Sequence, residues 1–247
     1  MAKFDLAQVT AYVEKHIAAF HKSRLTKVES IKLKQVLKSK NPYLYKAKNV
    51  TQSRDIIESI LNAFISSSEE GIFGNWLEQL AIYVNDMVYE GRKAGIDGID
   101  LDFDKDGKRY LVAIKSGPAW GNDSQVKKLI DQFDTARKRL ATSGSRVDTI
   151  CVNGCCYGKS KPETEYKKGN YYKMCGARFW ELISGEKDLY VNLIEPLGKD
   201  ADEMDLLFRT SYDNLVNRLD REFLIDFCKE NGAIDWEKLV RFNSSCE

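Results

Sequence analysis

A chain of 247 residues, 43% apolar and with a formal net charge of +1, is long enough for one large domain or two small ones. No run reaches about 18 apolar residues, which excludes a helical membrane span, and the opening MAKFDLAQ lacks the charged-then-apolar pattern of a secretory leader. Six cysteines in a chain so well supplied with core predict reduced thiols in a cytoplasmic protein rather than a disulfide framework.

The near-neutral charge hides an asymmetry. Residues 22–48 hold nine Lys/Arg against one acid, whereas from residue 186 onward there are fifteen Asp/Glu against eight Lys/Arg. A polyanion facing the basic part and a solvated helix face both account for this.

Taken in order, residues 4–21 carry an apolar stripe of helical spacing, with Phe4, Leu6, Val9, Val13, Ile17 and Phe20. The two histidines of the chain, His16 and His21, fall here and read as stripe or surface residues rather than as zinc or triad residues. The basic stretch follows, and Asn41-Pro42 predicts a helix break leading into a loop where Tyr43 and Tyr45 alternate with Lys46 and Lys48. A second helix is expected over 53–66, then a Ser/Gly loop. Asn75 is placed to cap a third helix over 76–88. Glu78, three residues after that cap, reads either as a capping-box glutamate or as an acid facing a metal.

The chain is organised around residues 98–122. The run 99–103 alternates apolar and acidic residues as a half-buried strand does, and Asp104 to Gly107 is turn chemistry. A second strand covers 109–115, with Tyr110, Val112 and Ile114 on one face and Leu111, Ala113 and Lys115 on the other. The hairpin therefore sets Asp100 and Asp102 on one strand against Lys115 on the next. A turn through Trp120 and Asn122 leads to a basic amphipathic helix over 124–140, then a strand over 147–152. The strand–helix–strand order predicts a parallel crossover and an α/β core.

Residues 153–175 read as an irregular loop rich in Gly, Lys and Tyr, followed by a short helix over 179–183 and a strand over 190–194. Residues 202–228 read as an acidic amphipathic helix for body or dimer packing. Cys151, Cys155, Cys156 and Cys175 contain no CxxC pair, so they read as buried apolar residues rather than zinc ligands.

The pattern Gly98-Ile99-Asp100, a hairpin, then Ala113-Ile114-Lys115 followed by a basic helix resembles the PD-(D/E)XK nuclease core. The flanking stretches resemble type II restriction endonucleases, particularly those cutting short GC-rich interrupted palindromes. The matching pieces are Asn41-Pro42 with its aromatic loop, Gly71-Ile-Phe-Gly74 before the helix of Glu78, Ile114-Lys-Ser-Gly117, and Cys156-Tyr-Gly158 before Phe179-Trp180. The likeness covers residues 40–185.

The resemblance implies a single endonuclease domain over 1–247. It would have a basic helical part at 1–66, a catalytic α/β core at 67–195 with a central mixed sheet flanked by helices, and a helical part at 196–247. It also implies Mg²⁺-dependent hydrolysis of double-stranded DNA to 5′-phosphate and 3′-hydroxyl ends. Asp100 and the main-chain carbonyl of Ile114 would be metal ligands, with Glu78 and Asp102 as further candidates, and Lys115 would position the attacking water. Lys46, Lys48, Trp120, Asn122, Lys127, Lys159, Lys161, Lys167 and Lys168 are the candidate DNA contacts. A homodimer matching a palindrome and a cognate DNA methyltransferase follow as partners, with no membrane.

One position departs from the family pattern. Its second acid belongs at 113, where this chain has alanine. Either Glu78 or Asp102 supplies that acid, or the chain is an inactivated variant. A catalytically silent DNA-binding protein on the same fold, or a repair or recombination nuclease, are the alternative functions.

Overall fold

The central hairpin forms as its turn chemistry requires. In the computed structural model, which describes residues 3–142, 147–159, 165–166 and 171–246, β1 (Leu101–Lys105) pairs antiparallel with β2 (Lys108–Lys115). Asp106 (φ 51°) and Gly107 (φ 71°) make the connection, with Lys105 opposite Lys108. Two consecutive positive φ angles are the signature of a type I′ turn, whose twist matches that of the strands. The turn is thus two residues, shorter than expected, and β1 runs on to Lys105.

The helices in chain order are α1 (Leu6–Ser30), α2 (Leu33–Lys38), α3 (Pro42–Ala47), α4 (Ser53–Tyr89) and α5 (Asp123–Thr142). After them come α6 (Ala177–Ser184), α7 (Leu189–Asn192), α8 (Ile194–Leu197), α9 (Ala201–Phe227) and α10 (Trp236–Ser244). Beyond the hairpin the sheet continues with β3 (Asp148–Cys155), β4 (Glu165–Tyr166) and β5 (Tyr171–Cys175), in the order β1-β2-β3-β5-β4. The β2–β3 pair is parallel, as the α5 crossover predicts, and so is β3–β5. The architecture is mixed α/β with helical terminal regions, as expected.

The chain gathers into two compact units, one of residues up to Ile17 with Phe73–Lys199, the other of Ala18–Ile72 with residues from Asp200 on. The first holds the sheet. On one face Leu101, Phe103, Val112 and Ile114 pack with Leu80 and Val84 of α4 and with Phe179 of α6. On the other, Leu111, Ala113 and Cys151 pack with Leu129, Phe133 and Ala136 of α5. Burying each large apolar side chain contributes about 1.5–3 kcal/mol, so both faces are firmly held. The second unit is helical. Its core joins Ile56, Ile60 and Leu61 of α4 to Leu219 and Phe223 of α9, which makes the acidic C-terminal helix part of the body.

Four local expectations are corrected. The Ser/Gly loop at 66–74 does not exist, because α4 runs unbroken from Ser53 to Tyr89. A glycine inside a helix costs about 1 kcal/mol, less than burial on either side supplies. Second, Asn41-Pro42 begins a helix instead of a loop: the Asn41 side chain accepts from Tyr43 N and Pro42 takes the first turn. Tyr45 is buried as a result, while Tyr43 is exposed. Third, 190–194 is not a strand. Leu189 and Leu193 are buried four residues apart, a helical period, and the segment forms α7 and α8. The irregular loop expected over 153–175 also includes the end of β3 and the whole of β5, where Tyr171 and Cys175 are buried.

Candidate active site

Asp100 sits just before β1 and is fastened to β2. Its main-chain N donates to the Val112 carbonyl, and its carboxylate Oδ2 accepts from the Ile114 N–H at 2.7 Å. Lys115 closes β2, with Nζ 3.0 Å from the Ile114 carbonyl oxygen and 3.9 Å from Asp100 Oδ2. The side chains of both are partly buried, at 20% exposure for Asp100 and 32% for Lys115. The spacing of the two residues in sequence therefore becomes contact across the hairpin.

Burial is the main influence on Asp100 and raises its carboxyl above the ordinary 3.8. The Ile114 N–H and the Lys115 ammonium pull it down, Glu78 pushes it up and Lys93 draws it down again. Glu78, on α4, is thus within electrostatic reach of Asp100. It pairs with Lys93 at 3.4 Å. The capping-box reading of Glu78 fails because Asn75 lies inside α4 and caps nothing. Burial, and after it the Glu78 carboxylate, pushes the Cys156 thiol up to about 12.

Asp102 faces a different partner. Arg109 grips it with both arms, Nε to Oδ1 at 2.8 Å and Nη2 to Oδ2 at 2.5 Å. Its carboxylate is committed to a part-buried fork–fork pair, leaving Asp100 as the acid paired with Lys115. Ala113 is fully buried in the α5-side cluster with Leu111, Phe133 and Cys151.

Trp120 and Asn122 both carry structural bonds. The Trp120 indole N–H donates to Asn153 Oδ1 at 2.8 Å. Asn122 begins α5: its Oδ1 accepts from Gln125 N, and Gln125 Oε1 accepts from Asn122 N, a reciprocal capping box. Lys127 and Lys159 are exposed. In the helical unit Lys46 stands 5.4 Å from the ring centre of Trp236, and Lys48 ends α3. Lys161, Lys167 and Lys168 lie outside the described residues.

The other singled-out groups are packing residues. Cys155 and Cys175 are paired in register on β3 and β5, and burial, then Cys175, pushes the Cys155 thiol up to about 12. Burial likewise pushes Cys151 up to about 11. Such thiols stay protonated near neutral pH and behave as small apolar groups. His16 lies against the Tyr12 ring, and burial lowers His21. Among the described residues, no group of three or more His, Cys, Asp or Glu forms a metal cluster.

Sequence reasoning missed three residues here: Lys93, Arg109 and Asn153. Asn153 left a signal, a lone amide in the apolar run Thr149-Ile-Cys-Val-Asn153 of β3. Arg109 also left one, opening β2 on the same hairpin as Asp102.

A mixed sheet presenting an acid and a lysine across one hairpin is an architecture suited to phosphodiester chemistry. The family model of the type II restriction endonuclease EcoO109I matches residues 7–205, and the chain belongs to that family. It is accordingly a DNA-directed nuclease of the type II restriction class, a hydrolase with DNA as its partner. No curated protein matches the sequence. Among the described residues, no helix is long and apolar enough to cross a membrane.

Proposed function

We propose that the protein cuts double-stranded DNA at a specific, palindromic site by a PD-(D/E)XK mechanism, with Asp100, Glu78 and Lys115 as its working residues. The observation that carries this is the pairing of Lys115 with the hydrogen-bonded carboxylate of Asp100, within the electrostatic reach of Glu78.

The donor set fits Mg²⁺. It is made only of oxygens, from Asp100, Glu78 and the Ile114 carbonyl, and a hard cation prefers one or two carboxylates completed by water and substrate phosphate. The mutual repulsion of Asp100 and Glu78 is what a divalent cation relieves. Bound there, Mg²⁺ supplies Lewis-acid polarisation of the phosphate and a more acidic water.

The protein's own groups do the rest. The Ile114 N–H holds one Asp100 oxygen in place, which fixes where the scissile phosphate docks. The Lys115 ammonium orients the attacking water and offsets the negative charge that builds on the phosphoryl oxygens. Water oxygen bonds to phosphorus as the water gives up a proton to solvent, the bond from phosphorus to the 3′-oxygen breaks, and that oxygen takes up a proton from solvent. The products carry 5′-phosphate and 3′-hydroxyl ends.

Ala113 does not disable this arrangement if Glu78 is the second acid, and the full burial of position 113 among apolar groups supports that assignment. A palindromic target, GC-rich and interrupted as the resemblance implies, calls for a homodimer whose two-fold axis matches that of the DNA. A cognate methyltransferase would protect the host, and the enzyme would act in the prokaryotic cytoplasm. Incubation with phage DNA and Mg²⁺ tests the reading. Discrete fragments with ligatable 5′-phosphates are expected, and DNA that stays intact over long incubation at high protein would sink it.

A further inference from the structure

We propose that Trp120 is a positioning residue for Lys115, set in place by Asn153, rather than a contact to DNA. The inference rests on the nuclease reading above and deepens it.

A lysine side chain has four rotatable bonds, so holding its ammonium at a reaction centre needs constraint. Lys115 Nζ has two oxygen neighbours, Ile114 O at 3.0 Å and Asp100 Oδ2 at 3.9 Å. The third constraint is the Trp120 ring, whose centre is 5.4 Å from Nζ. An indole face attracts an ammonium electrostatically and excludes rotamers that would cross it. Together these three contacts hold the charge at the end of β2.

Trp120 itself sits between β2 and α5, outside any strand or helix. The rigidity comes from the sheet. Asn153 is fully buried on β3, in register with Ala113 on β2 and Lys173 on β5. Its Oδ1 accepts the indole N–H at 2.8 Å, and its Nδ2 donates to the Ala113 carbonyl at 3.3 Å. Both ends of the amide are satisfied, as a buried polar group requires. Lys173 adds a second tie by donating to the Pro118 carbonyl at 2.7 Å. The indole N–H is thus used within the protein and is not offered to a base or phosphate. The row Ala113, Asn153, Lys173 anchors the loop that carries the ring.

The test compares Trp120→Leu, which removes the ring, with Trp120→Phe, which keeps an aromatic face. Three measurements are made on the full chain. These are single-turnover plasmid cleavage with Mg²⁺, affinity for the same DNA without Mg²⁺, and tryptophan emission of the free protein. Trp120→Leu should slow cleavage roughly ten- to a hundredfold, the scale of a misplaced catalytic group. Affinity should change by less than about twofold, because only a transition-state interaction is lost. Trp120→Phe, which keeps an aromatic face but loses the N–H that Asn153 holds, should fall between the parent and Trp120→Leu. Lys115→Met should alter the emission, and the change should vanish in the Trp120→Phe background. Thermal melts of both variants exclude unfolding as the cause.

Unchanged cleavage in Trp120→Leu, or a loss that appears wholly in affinity, overturns the proposal. An emission spectrum indifferent to Lys115→Met removes the contact itself, whether or not the protein cuts DNA. If the emission result holds but the parent protein cuts nothing, the nuclease reading has failed and the positioning role fails with it, while the contact stands.

Discussion

The carboxylate of Asp100 accepts the main-chain N–H of Ile114 at 2.7 Å, which ties the acid just before β1 to the residue that precedes Lys115 on β2. The hairpin is therefore the scaffold of the site: its register decides that the acid and the lysine meet. Lys115→Ala should leave DNA affinity within about threefold and lower cleavage by about a hundredfold or more, the usual cost of losing a charge-stabilising donor. A plasmid assay beside a binding isotherm checks it, and full activity in the variant would remove Lys115 from the mechanism.

A second expectation concerns pH. Burial raises the folded-state pKa of Asp100 above its ordinary value of 3.8, so the folded chain holds this proton more tightly than the unfolded one. The favourable contribution is complete below the ordinary carboxylate pKa and is lost as pH rises through the folded value. Asp100→Asn, which cannot charge, should then melt higher than the parent at neutral pH. The gap should close as the solution is acidified below the ordinary carboxylate range. The same substitution should abolish cleavage. Melting curves at several pH values decide this, and a variant less stable than the parent at pH 7 would contradict it.

Glu78 and Ala113 can be separated by single changes. Glu78→Gln keeps the shape and loses the charge, so cleavage should fall by about a hundredfold or more if this is the second acid. Ala113→Glu places a carboxylate in a dry apolar cluster, at a cost of about 2 kcal/mol or more. It should lower Tm and leave cleavage no better. If Ala113→Glu instead raises Mg²⁺-dependent cleavage by orders of magnitude while Glu78→Gln is silent, the second acid belongs at position 113.

The basic residues give a prediction about salt. If Lys46 and Lys48 touch phosphates, replacing both with Gln should reduce the slope of log K against log salt by about one per lost contact, equally for all sequences. The matching change at Lys127 and Lys159 tests the sheet-bearing unit in the same way. Fluorescence anisotropy over a salt series measures both, and an unchanged slope would assign those lysines to solvated surface.

The sequence alone determined the elements with strong local patterns. Alternation at 99–103 and 109–115, with the Asp104–Gly107 turn chemistry between them, specifies a hairpin because period-2 burial and positive φ are local demands. The amphipathic runs that became α5 and α9 were legible for the same reason. Asp100 and Lys115 could be named because a hairpin converts sequence spacing into spatial contact. Tertiary structure decided what depended on distant neighbours. Ser and Gly at 66–74 signalled a loop, but packing on both sides kept α4 whole, which took away the cap expected at Asn75 and put Glu78 within electrostatic reach of Asp100. Asp102 looked equivalent to Asp100 by face, and only the Arg109 fork set it apart. The link from Trp120 to Asn153 joins residues 33 positions apart. It depends on which strand lies beside β2, and no local pattern encodes that.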